Sequence, residues 1–418
     1  SSDLTLSNLI GSETLTLSGN GTLGDANVAA NKTVGVGTLA LGDGTGLAAN
    51  YTLSGGTHQL TVNQRPLNAT IARQYDGTKT AAGSDLSAFD ALQGGETLTL
   101  SGSGTVANKN VSSGQGVTLG TLALDATGAT GLVSNYSLNS AALNIVQRQI
   151  STVYLTKLYD ASTTVLASDL QTMSNLVSGE TLTLTGTSSI TDANVGLKTV
   201  NTGGFTLNDQ AGADANSGGL ASNYILSGGT HTLTINQRPL TATLARQYNG
   251  TTNAAGSDLS SFDALQGGET LTLSGSGTAA NDNVANGISV SSLGSLALVN
   301  GTGLASNYSL ISASINITQK TVDLNGTKSY DASTTFDNSI INTTGLIGSE
   351  TLNLTGVVNT NSANVNTYSA SGGSINGGTT TIALADGTNG GVASNYAIND
   401  GVFTITQRVV NATGTRLY

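Results

Sequence analysis

The amino-acid sequence predicts an all-β chain in which similar sandwich modules follow one another. The first observation behind this prediction is alternation at period two, as in the run from Glu96 to Ser101, which places Leu98 and Leu100 on one face. Such alternation is typical of a half-buried strand. The second observation is that a set of markers returns in one order every 81 to 90 residues. Repetition at a fixed period is the signature of a modular array.

Four short motifs mark each module. The opening motif is Tyr-Asp or Tyr-Asn, with Tyr75, Tyr159, Tyr248 and Tyr330. A Gly-Glu-Thr-Leu block, or its Gly-Ser-Glu variant, follows with Glu13, Glu96, Glu180, Glu269 and Glu350. An Asn-Tyr pair comes next, with Tyr51, Tyr136, Tyr224, Tyr308 and Tyr396. A Gln-Arg or Gln-Lys pair closes the module at Arg65, Arg148, Arg238, Lys320 and Arg408.

These markers divide the chain into five modules and a remnant. We number them module 1 (1–65, a partial module without its first strand), module 2 (66–148), module 3 (149–238), module 4 (239–320) and module 5 (321–408). Residues 409–418 resemble the opening strand of a following module. Two interpretations remain open. The chain is a piece of a longer array, or its last segment supplies the missing strand of the next molecule, joining copies head to tail through 409–418 and 1–65.

Gly-Gly, Asn-Gly and Asp-Gly steps separate the strands, which predicts short strands in an antiparallel sandwich. The Tyr of the Asn-Tyr pair suits the tyrosine corner of an immunoglobulin-like sandwich, although a ring that simply packs in a small core explains it equally well. Helical spacing within 84–92 keeps a modified β-grasp module open as the alternative. A parallel β-helix fits less well, because its coils repeat at roughly 20–30 residues.

The linkers between modules are short. The strand that ends near Ile235 runs through Gln237 and Arg238 into the next opening strand, and Pro239 stiffens that junction by fixing φ. Almost no residues are left for a flexible tether. We therefore expect adjacent modules to abut and to form an elongated rod.

Composition excludes several classes of partner. The chain has 418 residues with a formal net charge of −11, and its 14 basic residues are scattered, whereas a nucleic-acid surface needs clustered Lys and Arg. Apolar runs are far shorter than the ~20 residues that span a bilayer. We expect neither nucleic-acid binding nor a membrane span. With no Cys in the chain, disulfides and thiolate metal sites are excluded.

Candidate catalytic residues are scarce. The two histidines, His58 and His231, occupy equivalent strand positions without neighbouring partners for base or metal chemistry. The five marker glutamates have no second acid at a fixed offset, as a paired-carboxylate mechanism needs; bonds to turn amides or to a nearby Lys or Arg explain them better. We expect no catalytic residue, no cofactor-binding residue and no enzymatic activity.

Calcium is the ligand that the loops would suit best, because it takes oxygen ligands from Asp and Asn. The candidate ligands are Asp25, Asn27, Asp192, Asn194, Asp209 and Asp214. No complete calcium loop is present, however, and the Asp25 position is Asn108, Asn281 or Ser362 in other modules. Capping of turns by these side chains is the competing explanation, and the sequence predicts no cofactor apart from this weak calcium case.

The ordered motifs together resemble the YDG-type repeats of large filamentous-haemagglutinin-like bacterial exoproteins. The residues that carry the resemblance are Tyr75-Asp76-Gly77, Glu96, Asn110-Val111, Asn135-Tyr136 and Gln147-Arg148, with counterparts in the other modules. The resemblance implies a β-rich stalk of a secreted or cell-surface adhesin that supports adhesion or a biofilm matrix. A carbohydrate- or protein-binding adhesive module is the alternative function, although Trp is absent from the chain.

Overall fold

The structure is a computed structural model that describes residues 2–214, 217–371, 374–375, 378–416 and 418. It contains two compact units. One comprises Ser1–Leu155, Thr164–Ser189 and Thr199–Thr232, and the other comprises Thr156–Thr163, Ile190–Lys198 and Leu233–Tyr418. Module 3 contributes segments to both units. The all-β prediction is confirmed, since the described helices are short 3-10 turns.

The strands follow the order of the modules. Module 1 contains Leu15–Ser18, Ala29–Thr33, Ala40–Asp43 and Gln59–Val62. Module 2 contains Arg65–Gln74, Thr80–Ala82, Leu86–Phe89, Thr99–Ser101, Ser103–Thr105, Ser112–Gly116, Ala123–Asp125 and Tyr136–Val146. Module 3 contains Arg148–Gln149, Thr152–Leu158, Thr164–Leu166, Leu170–Ser174, Thr183–Ser189, Gly196–Thr199, Phe205–Asn208, Tyr224–Ile225 and Thr232–Asn236.

Modules 4 and 5 repeat this arrangement. Module 4 contains Arg238–Gln247, Asn253–Ala255, Leu259–Phe262, Leu271–Ser274, Ser276–Ala279, Ala285–Ser292, Ala297–Asn300 and Tyr308–Thr318. Module 5 contains Lys320–Ser329, Thr335–Asp337, Ile341–Thr344, Leu352–Thr355, Val357–Asn359, Asn366–Ser371, Ser374–Ile375, Thr379–Thr380, Ala383–Asp386 and Tyr396–Thr406.

Three-residue 3-10 turns interrupt the strands at recurrent places. They are Ala48–Asn50, Gly83–Asp85, Val133–Asn135, Ala167–Asp169, Thr202–Gly204, Ala221–Asn223, Gly256–Asp258, Ala305–Asn307 and Ala393–Asn395. The 3-10 turns that precede an Asn-Tyr pair end at the Asn of that pair. Within the described part of the chain, none of the helices has the length and apolar character needed to cross a bilayer.

The largest sheets of modules 2, 4 and 5 each contain a parallel pair of long strands. We call the strand that begins at the Gln-Arg marker the opening strand, and the strand that begins at the Asn-Tyr tyrosine the closing strand. In module 2 the opening strand Arg65–Gln74 runs parallel to the closing strand Tyr136–Val146, from the pair Arg65 and Tyr136 to the pair Gln74 and Val146. Modules 4 and 5 have the same parallel pair.

Antiparallel strands flank this parallel pair. In module 2, Leu86–Phe89 lies beside the opening strand and Ser112–Gly116 lies beside the closing strand. The expectation of purely antiparallel sheets is therefore wrong at the central pair. Sequence alternation shows that a segment is a strand, but the direction of its neighbour depends on contacts about seventy residues away.

Apolar side chains on the inner face of the sheet form the core, together with short strands of a second layer. Leu67 of the opening strand and Leu98 of the Gly-Glu-Thr-Leu block belong to one buried cluster. The predicted inward faces are confirmed, because Leu98, Leu100, Leu233 and Ile235 are buried.

The helix expected within 84–92 is wrong. Gly83–Asp85 forms a single 3-10 turn, and Leu86–Phe89 continues as a strand that pairs with the opening strand. A Cβ atom on Gly83 would lie 2.6 Å from the carbonyl oxygen of Leu100, so the backbone passes close to the second layer at this turn. Pairing with the sheet edge therefore overrides the helical spacing of the apolar residues.

Module 1 and the last segment differ from the rest. In module 1 the last strand, Gln59–Val62, pairs only with Ala29–Thr33 among the described residues. Residues 409–416 form no strand, and Leu417 lies outside the described residues. The assignment of 409–418 as the opening strand of a following module therefore stays a prediction.

Candidate functional site

The marker glutamate of module 3 lies between tyrosines from two consecutive modules. Glu180 accepts the hydroxyl of Tyr75 from module 2 on Oε1 at 2.5 Å and the hydroxyl of Tyr224 from module 3 on Oε2 at 2.6 Å. The two rings meet edge to face, with centroids 5.5 Å apart. Edge-to-face pairs contribute beyond the area they bury. We call this arrangement, at the boundary of two modules, the joint.

The same joint recurs at the next two boundaries. Glu269 accepts Tyr159 at 2.6 Å and Tyr308 at 2.5 Å. Glu350 accepts Tyr248 at 2.8 Å and Tyr396 at 2.6 Å, and in both joints the tyrosine rings again meet edge to face. In each case the opening tyrosine binds Oε1 and the Asn-Tyr tyrosine binds Oε2.

The second tyrosine is fixed by its own module. Its hydroxyl oxygen accepts a backbone N–H from the residue three positions before the glutamate, as from Val177 to Tyr224 at 2.9 Å. The same bond is made by Ile10, Gln93, Gln266 and Ile347. The tyrosine therefore packs its ring and bonds its hydroxyl within its own module, and the tyrosine-corner interpretation stays a prediction. The bonded loop lies about forty residues upstream instead of directly before it.

An asparagine makes a second bridge at each boundary. Asn223 of module 3 accepts the backbone N–H of Val111 at 2.9 Å and donates to the Asn110 amide oxygen at 2.9 Å, both in module 2. The equivalent donors and acceptors are Asn135 with Asn27 and Val28, Asn307 with Asn194 and Val195, and Asn395 with Asn283 and Val284. The side-chain amide accepts a hydrogen bond through its oxygen and donates one through its nitrogen. Neither Asp nor Leu could therefore replace Asn without losing a bond.

The closing glutamine provides a third bridge. Gln147 of module 2 donates to the carbonyl oxygens of Ser222 and Tyr224 in module 3, at 3.2 and 3.0 Å. Gln319 makes the same pair of bonds to Ser394 and Tyr396. Residues from each of the four kinds of sequence marker therefore meet at boundaries between modules.

Burial is the main influence on the ionisation of the joint. Loss of solvent, followed by the hydrogen bond to the glutamate, raises the pKa of Tyr248 and of Tyr308 to about 12. The pKa values of Tyr75, Tyr159, Tyr224 and Tyr396 are raised well above the ordinary value for the same causes. The hydroxyls consequently stay protonated and remain donors to the carboxylate at neutral pH.

The joint at Glu180 has one further charge. Lys109 Nζ of module 2 lies 3.3 Å from Glu180 Oε1, and both side chains are largely buried. The expectation that a marker glutamate binds a nearby Lys is thus confirmed at this joint. The equivalent residue is Ala26, Ala193 or Asp282 elsewhere. The lysine is therefore a feature of the joint at Glu180, whereas the Tyr–Glu–Tyr arrangement is common to the three joints.

Two marker glutamates have a single tyrosine. Glu13 accepts Tyr51 and Glu96 accepts Tyr136, both at 2.5 Å. Among the described residues no opening tyrosine bonds to either. The opening tyrosine of module 5, Tyr330, is 38% exposed, whereas Tyr75 is completely buried.

The histidines have structural roles. His231 is buried; its Nδ1 accepts the backbone N–H of Val153 at 3.0 Å, and its Nε2 lies 2.7 Å from the carbonyl oxygen of Leu226. His58 makes the equivalent contact to Leu53. This pattern suits a neutral ring with its proton on Nε2.

The calcium candidates lie in separate loops and already have hydrogen-bond partners. Asp25 binds Lys32 at 2.5 Å and Asp192 binds Lys198 at 2.7 Å, while Asn27 and Asn194 belong to the asparagine bridges. Asp209 caps the turn that begins at Ala221, and Asp214 binds Ser217. In the described parts of the chain, no three His, Cys, Asp or Glu side chains are grouped as a metal site requires. Calcium binding therefore stays a prediction.

The sequence marked the joint residues but did not reveal that they meet. The signal that could have shown it is the repeated separation between an opening tyrosine and the glutamate of the next module, which is 105, 110 and 102 residues in the three joints. A hydroxyl donor and a carboxylate that recur in consecutive modules at a similar separation fit a contact between modules. Chemically the joint can hold two modules together, because its donors and acceptors are satisfied by one another.

Comparison with known proteins agrees with the modular organisation. A family model described as the YDG domain matches residues 57–143, 146–234 and 229–317. No curated protein matches the chain. Since the three tandem matches together span more than half of the sequence, the chain belongs to the YDG domain family.

Proposed function

We propose that this chain is a structural stalk or filament segment of a secreted or cell-surface bacterial adhesin, where it supports adhesion or a biofilm matrix. The observation that carries the proposal is the Tyr–Glu–Tyr joint, which occurs with the same geometry at three successive boundaries. A stalk needs stiff boundaries between its modules. A carboxylate that accepts two tyrosine hydroxyls resists bending, because opening the boundary must break two hydrogen bonds to a charged acceptor.

The parallel central pair also suits a load-bearing role. In module 2 the chain enters at Arg65, next to Tyr136, and leaves beyond Val146, next to Gln74. Tension on the two ends of the module therefore pulls the opening and closing strands past each other along their length. Several ladder hydrogen bonds must then break together, whereas a hairpin pulled from its open end loses them one at a time.

The proposal includes an elongated rod of sandwich-like modules. Strands of ten residues advance about 33 Å at the usual rise, so five modules in line would reach about 165 Å. Small-angle scattering of the whole chain tests this part. A maximum dimension near that value supports a rod, and a compact particle contradicts it.

Force spectroscopy of the whole chain, held between two reference domains, tests the mechanical role. We expect successive unfolding steps, each of which releases the length of one module. Extension at the low forces of an unstructured chain would contradict the stalk. Protease treatment of intact bacteria that produce the chain tests the extracellular location, since a surface stalk is cleaved while the cells remain sealed.

The proposal also includes head-to-tail joining of copies by strand addition. Its basis is that residues 409–418 resemble the opening strands of the other modules in sequence. An open contact of this kind produces a filament instead of a closed ring. The stalk itself does not depend on this step, because a single chain already contains four boundaries between modules.

A further inference from the structure

In modules 2, 3 and 5 a basic residue and an aspartate flank the opening tyrosine and form an ion pair. The pairs are Arg73–Asp76, Lys157–Asp160 and Lys328–Asp331. In each pair the side chain of the basic residue is largely buried, so the aspartate compensates a cation that has lost most of its water. We call this ion pair the clamp.

Module 4 has the basic residue of the clamp but not the carboxylate. Arg246 occupies the position of Arg73, and Asn249 occupies the position of the aspartate. Asn249 keeps the local turn, because its Oδ1 accepts the backbone N–H of Thr251 at 3.2 Å, as Asp76 Oδ1 accepts the equivalent N–H at 2.8 Å. Within the described part of the chain, Arg246 forms no ion pair.

The guanidinium of Arg246 is left with an unsatisfied donor. Its Nη1 donates to the carbonyl oxygen of Asn253 at 2.9 Å, and its Nη2 donates to that of Thr251 at 2.5 Å. In module 2 it is the Nε of Arg73 that donates to the first of these carbonyls, which belongs there to Thr80, at 3.2 Å. The Nε of Arg246 is buried and has no hydrogen-bond partner among the described residues. The guanidinium has therefore turned away from the arrangement that it has beside an aspartate.

Other acids of module 4 compensate Arg246 only from a distance. Burial lowers the pKa of Arg246, and the charges of Asp258 and Asp282 oppose this shift. Neither carboxylate lies within ion-pair distance of the guanidinium. A carboxylate at position 249 would restore the clamp, because it would stand where Asp76 stands relative to Arg73.

Asn249 is also placed for the reaction that produces such a carboxylate. It precedes Gly250, and an Asn-Gly step is prone to deamidation because glycine has no side chain to shield its backbone nitrogen. The Gly250 N–H makes no hydrogen bond in the described part of the chain, and Asn249 is exposed, so water reaches it. The Thr251 N–H on Asn249 Oδ1 stabilises the negative charge that develops there during attack on Cγ.

Two other Asn-Gly steps of module 4 differ in this respect. After Asn286, the Gly287 N–H donates to Asn316 Oδ1 at 2.7 Å. After Asn300, the N–H of the next glycine donates to the carbonyl oxygen of Gly303 at 3.2 Å. Their nitrogen atoms must leave these bonds before they can attack, which makes the two steps internal controls.

We propose that Asn249 deamidates spontaneously and that the aspartate formed at position 249 completes the clamp with Arg246. The Gly250 nitrogen attacks Cγ of Asn249, its proton leaves with the side-chain nitrogen as ammonia, and a cyclic imide forms. Water then adds to Cγ and breaks the bond to the Gly250 nitrogen, which regains a proton. This inference is independent of the stalk, because it concerns the interior of one module.

The folded module selects between the two products of the imide. Attack of water on the other ring carbonyl gives isoaspartate, which lengthens the main chain and displaces Thr251, an acceptor of Arg246. Isoaspartate closes to the same imide again, whereas aspartate is held by its ion pair. The aspartate form therefore accumulates, and module 4 acquires after synthesis the clamp that its neighbours have from the start.

Mass spectrometry of the whole chain tests the site. Folded protein is incubated in mildly alkaline buffer and digested, and aspartate and isoaspartate are measured at each Asn-Gly step; the same protein in denaturant gives the intrinsic rates. We expect Asn249 to react in the folded chain at close to its rate in denaturant. Asn286 and Asn300 should be slowed roughly two- to tenfold, the factor that an ordinary hydrogen bond represents. Equal slowing of the three, or an excess of isoaspartate at position 249 of the folded chain, overturns the inference.

Stability measurements test the clamp itself. Asn249→Asp should raise the denaturation midpoint above that of the freshly prepared chain, and Arg246→Gln should abolish this gain. Asp76→Asn is the matched reverse change in module 2, and it also creates an Asn-Gly step. It should lower the midpoint, and the loss should recover during incubation as aspartate returns. A gain that persists without Arg246, or no change from either substitution at 76 or 249, contradicts completion of the clamp.

Discussion

The hydroxyl of Tyr75 lies 2.5 Å from a carboxylate oxygen of Glu180, although 105 residues separate them in the sequence. Tyr75 follows the opening strand of module 2, and Glu180 precedes a strand of module 3. The bond therefore connects modules and contributes nothing to the ladder inside either of them. Its removal should weaken a boundary while it leaves both modules folded.

Replacement of Tyr75 by Phe tests this separation of roles. The ring remains to pack against Tyr224, but Glu180 loses one of its two hydroxyl donors. A hydrogen bond to a charged group contributes about 1.5–3 kcal/mol, and we expect a loss of stability of that order at this boundary. Chemical denaturation, combined with hydrogen exchange of the Val111 amide, measures it.

Tyr330→Phe is the matched control, because Tyr330 is the equivalent opening tyrosine but is partly exposed. In dilute protein it should change stability by less than about 0.5 kcal/mol. Equal effects of the two substitutions would mean that the phenol hydroxyl does not stabilise the boundary.

Asn223→Asp tests the asparagine bridge. Asn223 is fully buried, and its Nδ2 donates to the Asn110 amide oxygen. An aspartate would place a charged acceptor against another acceptor, so we expect a loss of about 2–4 kcal/mol from an unpaired buried charge. Asn50 has the same motif in module 1 but is exposed, and Asn50→Asp should be nearly neutral. Denaturation midpoints of the two variants provide the comparison.

The joints should open at alkaline pH. In the folded chain burial and the glutamate bond raise the pKa of Tyr248 and of Tyr308 to about 12, from an ordinary value of 10.0. Since the folded pKa lies above the unfolded one, these groups stabilise the fold fully below pH 10, and the contribution is lost as the pH rises towards about 12. We expect boundary amides to lose exchange protection in that window.

Glu350→Gln is the control for this titration. It removes the negative charge beside Tyr248 but retains the burial, so the phenolate of Tyr248 should form at a lower pH than in the unmodified chain. Phenolate absorbance during an alkaline titration reports the difference. An unchanged titration curve would show that Glu350 has no influence on Tyr248.

Local patterns predicted the strands and the modules, but not how they pair. Alternation in the Gly-Glu-Thr-Leu block correctly placed Leu98 and Leu100 inside, because strand faces depend on adjacent residues alone. The parallel pairing of Arg65–Gln74 with Tyr136–Val146 could not be predicted in this way, since it depends on the path of the chain between them. The helix suggested by the spacing of apolar residues at 84–92 is wrong for the same reason, because pairing with the sheet determines the conformation of this segment.

The joint cannot be predicted from the sequence of a single module, because its residues come from two. Glu180 has no second acid and no histidine nearby in sequence, so its local sequence does not indicate a functional site. Its partners Tyr75 and Tyr224 lie 105 residues before it and 44 after it. A contact that repeats between modules leaves a trace only in the spacing of different markers, and not in any single motif.

Lys109→Ala tests whether the positive charge of Lys109 adds to the stability of the joint at Glu180. Lys109 lies 3.3 Å from Glu180, and its loss leaves the buried carboxylate with its tyrosine donors alone. Since Ala193 occupies this position beside the intact joint at Glu269, we expect module 3 to stay folded, with a loss of about 1–3 kcal/mol. Lys79→Ala, at an exposed lysine of the same module, is the control for net charge. The double variant with Glu180→Gln should regain part of the loss, because the neutral amide no longer needs a cation. Denaturation of the unmodified chain, Lys109→Ala, Glu180→Gln and the double variant gives the coupling energy, and a value near zero would mean that the pair is incidental.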